Sequence, residues 1–163
     1  MTDPLYLDLG CGPQKQVGFL GIDHYPFPGV DIVRDLRRGL PLAANSVDGI
    51  VIKHVLEHFD GEDLLFLVDE MWRVCKPGAK IGVEVPVIES PNRYRDPLHK
   101  TRDWSDDSFL LWAVNEQQDW LIFVGPTYHR QAKLRLLDTG VSADATKNRT
   151  YLLEVVKSVT ARV

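Results

Sequence analysis

The chain has 163 residues, a length suited to one domain built on one core, here taken as residues 1–163. Hydrophobic residues make up 44% and charged residues 26%, a globular balance that argues against intrinsic disorder. The formal charge of −4 argues against a broad polyanion-binding surface, so nucleic acid is not an expected partner. Leu5, Tyr6, Leu7 and Leu9 predict a first strand, which turns at once through Gly10-Cys11-Gly12, where missing side chains let a ligand approach the backbone. Residues 19–22 predict a second short strand that ends on Asp23. As parallel neighbours, these strands would present a glycine loop and a carboxylate at one carboxyl edge, the edge where open α/β sheets bind ligands.

The segment His24-Tyr25-Pro26-Phe27-Pro28-Gly29 is too short and too proline-broken for a helix. A third strand is predicted at 30–33, with Asp35 and Leu36 just beyond it, and a polar turn at 41–46. Residues 47–52 are the most continuous apolar run, as a central parallel strand buried on both faces requires, and the strand should end near Lys53 and His54. Asp60 is placed to cap the next helix, with Glu62 and Asp63 in its first turn. Leu64, Leu65, Val68, Met71, Trp72 and Cys75 recur on one helical face, and Lys76-Pro77-Gly78 stops the run. Ile81, Val83 and Val85 alternate with Gly82, Glu84 and Pro86, which predicts a fifth strand. A long loop follows over 86–102, and Ser105 is placed to cap a second helix through about residue 117. Residues 120–124 and 151–159 are strand-like.

Six stretches in this order resemble the class I S-adenosylmethionine-dependent methyltransferases of small-molecule type: Leu-Asp-Leu-Gly-Cys-Gly at 7–12, Gly-Ile-Asp23, Asp35-Leu36 followed by Leu40-Pro41, Val47-Asp48-Gly49-Ile50, His54-Val55-Leu56-Glu57-His58-Phe59, and Arg73-Val74-Cys75-Lys76-Pro77-Gly78. The resemblance covers residues 5–86. It implies a Rossmann-like open twisted sheet, mostly parallel with an antiparallel C-terminal strand, and S-adenosylmethionine as cofactor. It also implies that Gly10, Cys11 and Gly12 approach the cofactor and that Asp8 fixes the loop or the methionine ammonium. By the same resemblance Asp23 takes the ribose hydroxyls, Asp35 and Leu36 read adenine, and the backbone at His54 meets the methionine end. The rival, dinucleotide binding, needs a third glycine where Lys15 stands and an acid about 20 residues on, whereas Asp23 follows Gly10 by 13. Gln14 replaces the third glycine of the family's own pattern.

The implied reaction is methyl transfer to a small-molecule acceptor. The catalytic residues are unknown. His54, His58 and His99 are the candidate bases, because each would lie near the carboxyl edge and histidine titrates near neutrality. His54 and His58 would share a helix face if that turn is helical, and with Glu57 could hold a metal; the structural reading is preferred and no metal is expected. Asp96-Pro97-Leu98-His99 is the expected lid contact. The Asn/Asp-Pro-Pro-Tyr signature of adenine and glutamine methyltransferases is replaced by Lys53-His54-Val55-Leu56, leaving oxygen, carbon or another nitrogen as the atom methylated. The two cysteines, Cys11 and Cys75, suggest no disulfide framework. With no signal-peptide pattern and no apolar run long enough for a bilayer, a cytoplasmic protein off the membrane is expected.

One departure from the resembling family is large. Residues 13–18 leave no room for a helix after the first strand, so the sheet should be truncated on one helical face. A bare apolar face is seldom tolerated, which suggests cover by a second copy in a homodimer, by another chain, or by residues 125–147 folding back. The alternative to an enzyme is a non-catalytic cofactor-binding module, or the partner subunit of a heteromeric methyltransferase.

Overall fold

The computed structural model describes residues 3–87, 89–91, 96–100, 104–105, 108–109 and 132–157. Seven strands form one sheet in the order β3-β2-β1-β4-β5-β7-β6. They are β1 (Tyr6–Leu9), β2 (Leu20–Asp23), β3 (Ile32–Val33), β4 (Val47–Lys53), β5 (Cys75–Pro86), β6 (Leu134–Val141) and β7 (Asn148–Val155). The first five are parallel; β7 runs antiparallel to β5, and β6 antiparallel to β7. The Rossmann-like sheet is thus as expected: β7 alone runs against the others, because β6, antiparallel to β7, runs in the same direction as β1 to β5. β6 falls where the sequence shows no clear period, and β7 starts three residues before the strand expected at 151–159. The helix expected over 105–117 and the strand over 120–124 lie almost wholly outside the described residues.

Register explains the layering. Leu7, Ile50, Ile81 and Leu153 stand side by side across β1, β4, β5 and β7, as do Leu9, Ile52, Val83 and Tyr151, so one face of the sheet is continuously apolar. Helix α1 (Gly61–Val74) shares a core cluster with that face through Leu64, Leu65, Leu67, Val68, Met71 and Val74. The expected stripe is corrected at two points. Trp72 is only half-buried and donates its indole N–H to the Val156 carbonyl at 3.0 Å, while Cys75 opens β5 directly behind the helix. Asp60 occupies the cap position without a side-chain hydrogen bond, so its capping role is not realised. At the other helix end Lys157 Nζ donates to the carbonyls of Arg73 at 3.1 Å and Cys75 at 2.5 Å and sits over the Trp72 ring.

The opposite face carries Tyr6, Gly49, Val51, Gly82, Lys80, Leu152 and Glu154 in the alternate register. The links after β1 and β3 hold only the 3-10 turns Gly12–Gln14 and Leu36–Arg38, and the link after β2 holds no helix. The truncation is therefore real. This face, which no helix among the described residues covers, is partly polar: Glu154 pairs with Lys80 and with Arg135, each at 2.6 Å. The Tyr6 ring covers Gly49, where an added Cβ would come within 3.1 Å of it. Residues 134–141 extend the sheet edge as β6, so the part of 125–147 that is described does not fold back as a cover. Among the described residues no helix is long and apolar enough to cross a membrane.

Candidate active site

The glycine loop follows β1 and is fastened from two sides. Asp8, buried under it, accepts the Gln16 N–H at 2.7 Å, and Asp23, at the end of β2, accepts the Gly12 N–H at 2.8 Å and the Tyr25 N–H at 2.8 Å. Gly10 donates its own N–H to the Ile22 carbonyl at 2.7 Å. Its φ is +66°, and a Cβ there would fall 2.2 Å from a Val55 methyl, so both conformation and space require glycine. Gly21 of β2 has a different reason: a Cβ would strike the Lys15 stem at 2.5 Å and Cys11 Sγ at 2.7 Å, because the loop lies directly on that strand.

A cavity of about 490 Å³ opens at the carboxyl edge of β1, β2 and β4. Of the residues singled out from sequence, Gly10, Asp23, Asp35, Leu36, His54 and His58 line it, together with Asp96 and Leu98 of the expected lid contact. Asp8, Cys11 and Gly12 do not line it; they form the loop and its underside. Burial, and then the Asp8 and Asp23 carboxylates, push the Cys11 thiol up, and burial pushes Cys75 up to about 12, which leaves both poor nucleophiles. Asp35 accepts the Arg37 N–H at 3.0 Å and so caps the 3-10 turn that carries Leu36.

Sequence reasoning missed Tyr25, Phe27, Arg37 and Phe59 in the wall, and Lys100 just after the expected lid contact. The aromatic pair flanking Pro26, directly after Asp23, was a signal within reach. Lys100 comes from beyond β5 and had only its place in an overlong connection to suggest it.

The three histidines part company here. His54 has φ +55°, a conformation that costs a non-glycine residue energy and turns its side chain out of the path of the strand. Its Nε2 lies 3.2 Å from Glu84 Oε1 and 3.2 Å from Asn148 Nδ2, and its Nδ1 lies 3.4 Å from Glu57 Oε1. Glu57 first and then Glu84 raise the His54 pKa, against the opposing effect of burial. His54 and His58 do not share an α-helical face, because the segment is a 3-10 turn, Leu56–His58. His58 instead meets His99, ring centroids 4.6 Å apart, and the ligand atoms of Glu57, His58 and His99 lie within 4.8 Å of one another. Asn148 reaches this edge from β7 and had no local signal in the sequence.

The family described as a methyltransferase domain matches residues 22–83. No curated protein matches the chain. Solved structures share its fold. A chain of the complex between the Haloferax volcanii Trm112 methyltransferase activator and a putative methyltransferase aligns with a TM-score of 0.64 at 14% identity, over 94% of this chain and 82% of that one. A methyltransferase dependent on S-adenosylmethionine from Aquifex aeolicus aligns with a TM-score of 0.60 at 17% identity, over 94% and 82%. Another from Archaeoglobus fulgidus gives 0.56 at 18% identity, over 93% and 86%.

Proposed function

We propose that this chain, a member of the class I S-adenosylmethionine-dependent methyltransferase family, transfers a methyl group to a small-molecule acceptor held in the carboxyl-edge cavity. The observation that carries this reading is the convergence of Gly10, Asp23, Asp35, Leu36 and His54 on one cavity, with the glycine loop and Asp23 clamped to each other. S-adenosylmethionine, the cofactor, supplies an electrophilic methyl on its sulfonium. The chain's own residues then have to bind and align, since in-line displacement depends above all on holding the reacting atoms close and straight.

The residues fit that task. Each Asp23 oxygen holds one backbone N–H and keeps lone-pair capacity, so the carboxylate can accept a ribose hydroxyl on each oxygen. Gly10 lets the backbone itself form the wall. Asp35 and Leu36 would take the adenine. The His54 N–H is already donated to the Glu84 carbonyl at 2.9 Å, so its carbonyl is the backbone group left for the methionine end. Tyr25, Phe27 and Phe59 put apolar surface into the cavity wall, against which a ligand would pack.

Calorimetric titration with S-adenosylhomocysteine, beside a nicotinamide dinucleotide, tests the reading. Binding of the first alone is expected; a cooperatively folded chain that binds only the dinucleotide, or neither, refutes it. A second reading, a subunit that works only with a partner, is favoured by the helix-free links and by Tyr6 and Val33, 38% and 56% exposed beside them. Methyl transfer by the purified chain alone, sedimenting as a monomer, would count against that second reading.

A further inference from the structure

Glu57 is the oddest charge in the protein. It is 2% exposed, yet neither carboxylate oxygen has a hydrogen-bond partner. Burying a carboxylate whose oxygens accept no hydrogen bond costs several kcal/mol in general, so such a group favours cations around it. His54 meets it in a long ion pair, Nδ1 to Oε1 at 3.4 Å, while its other nitrogen faces Glu84 and Asn148; Oε2 is left with no partner.

The other neighbours are His58 and His99, and the fold delivers both. His58 ends the 3-10 turn, its N–H donated to the Val55 carbonyl at 3.0 Å. His99 arrives on a turn built by Asp96, which accepts the Leu98 N–H on its side chain at 2.8 Å and the His99 N–H on its carbonyl at 3.1 Å. The next residue, Lys100, donates its N–H to the Glu57 carbonyl at 2.8 Å, fastening that turn to the carboxylate's own backbone.

We propose that Glu57, His58 and His99 form a binding site for a divalent first-row transition metal in the wall of the cavity. Two imidazoles and one carboxylate are the donor set of catalytic zinc sites that keep an open position, and of open iron(II) sites. Tetrahedral zinc needs ligand atoms ~3.4 Å apart, given bonds of about 2.0–2.1 Å. The present spacing, within 4.8 Å, closes to that by small rotations of two half-buried rings. His58 lines the cavity, as do Asp96, Leu98 and Lys100 around His99, so the open position lies on the cavity side. There it suits an oxygen donor. The coordination rests on geometry alone; its use, to hold an acceptor through a hydroxyl or carboxylate oxygen, rests on the methyl-transfer reading.

The test is titration of the chelator-treated full chain with Co2+, read by its visible ligand-field absorption, with S-adenosylhomocysteine affinity measured on the same samples. One Co2+ per chain is expected, with binding weakened more than ~10-fold in His58→Ala and in His99→Ala and retained in His24→Ala. Glu57→Gln should also lose the metal, while the unfolding temperature of its metal-free form holds or rises, because a neutral amide replaces a buried charge. A Glu57 that serves only to pair with His54 would give the reverse: a lower unfolding temperature and unchanged Co2+ uptake. No stoichiometric absorption, or equal uptake in both histidine variants, overturns the site even if the nucleoside binds. Metal uptake without nucleoside binding leaves the site standing and removes the methyl-transfer reading.

Discussion

Asp23 does two jobs in this reading, and they can be separated. Asp23→Ala deprives the Gly12 and Tyr25 N–H groups of their acceptor at a position 8% exposed. A hydrogen bond to a charged group is worth about 1.5–3 kcal/mol, and water reaching a site at the cavity wall returns part of the loss, so a total of about 2–4 kcal/mol is expected. Asp23→Asn keeps one acceptor oxygen and should lose about half as much. Ordinary domain stabilities of about 5–15 kcal/mol leave either variant able to fold. Urea unfolding measures the loss as a shift in midpoint at constant slope. Titration with S-adenosylhomocysteine then reads the other job. If Asp23→Ala costs less than ~1 kcal/mol, the carboxylate does not hold the loop and the fastening argument fails. If stability falls as stated but nucleoside affinity does not, the ribose contact is refuted and loop-fastening is the whole role.

Gly10→Ala should cost about 2–4 kcal/mol in urea unfolding, adding left-handed strain to displacement of Val55. Gly12→Ala, at φ +53° with open space where its Cβ would go, should cost only the strain, about 1–2 kcal/mol; equal losses would show that the Val55 contact carries nothing. The Arg73 guanidinium, bonded to both oxygens of Glu70 at 2.6 and 2.8 Å, holds that carboxyl below its usual range. Its contribution is therefore complete above the ordinary glutamate value of about 4.3 and is lost as pH falls through the lowered one. The stability profile of Glu70→Gln should be flatter on the acid side, and an unchanged acid limb would remove Glu70 from the account.

The parallel half of the sheet was legible because each strand there is decided locally, by a short apolar run with a glycine or an acid at its carboxyl end. The site was legible to the same extent. Gly10, Asp23 and Asp35 sit at strand ends, which fixes them at one edge once the strands are parallel. Asn148 and Lys100 reach that edge by tertiary placement alone, and Glu57 is buried in a 3-10 turn that leaves no apolar period to read. β6 was missed for a related reason. As an edge strand it leaves only Leu134 fully buried and exposes Leu137 and Val141, so charge and apolar residues mix without alternation. The side-chain cap expected of Asp60 failed because composition marks where a cap belongs, not which way its side chain turns.

The clasp of Val156 and Lys157 on the end of α1 bears on when the protein becomes whole. The contacts join residues 84 and 82 positions apart, Trp72 to Val156 and Lys157 to Cys75. β7 lies between β5 and β6, so the sheet has a vacancy until almost the last described residue has been made. A ribosome-bound chain that has emerged only through β5 would hold its glycine loop and Asp23 beside an unpaired strand edge. Such an edge invites wrong pairing, and contacts of this sequence separation form late because their loop-closure cost must be met first. The ligand-binding half of the protein is thus written first and secured last.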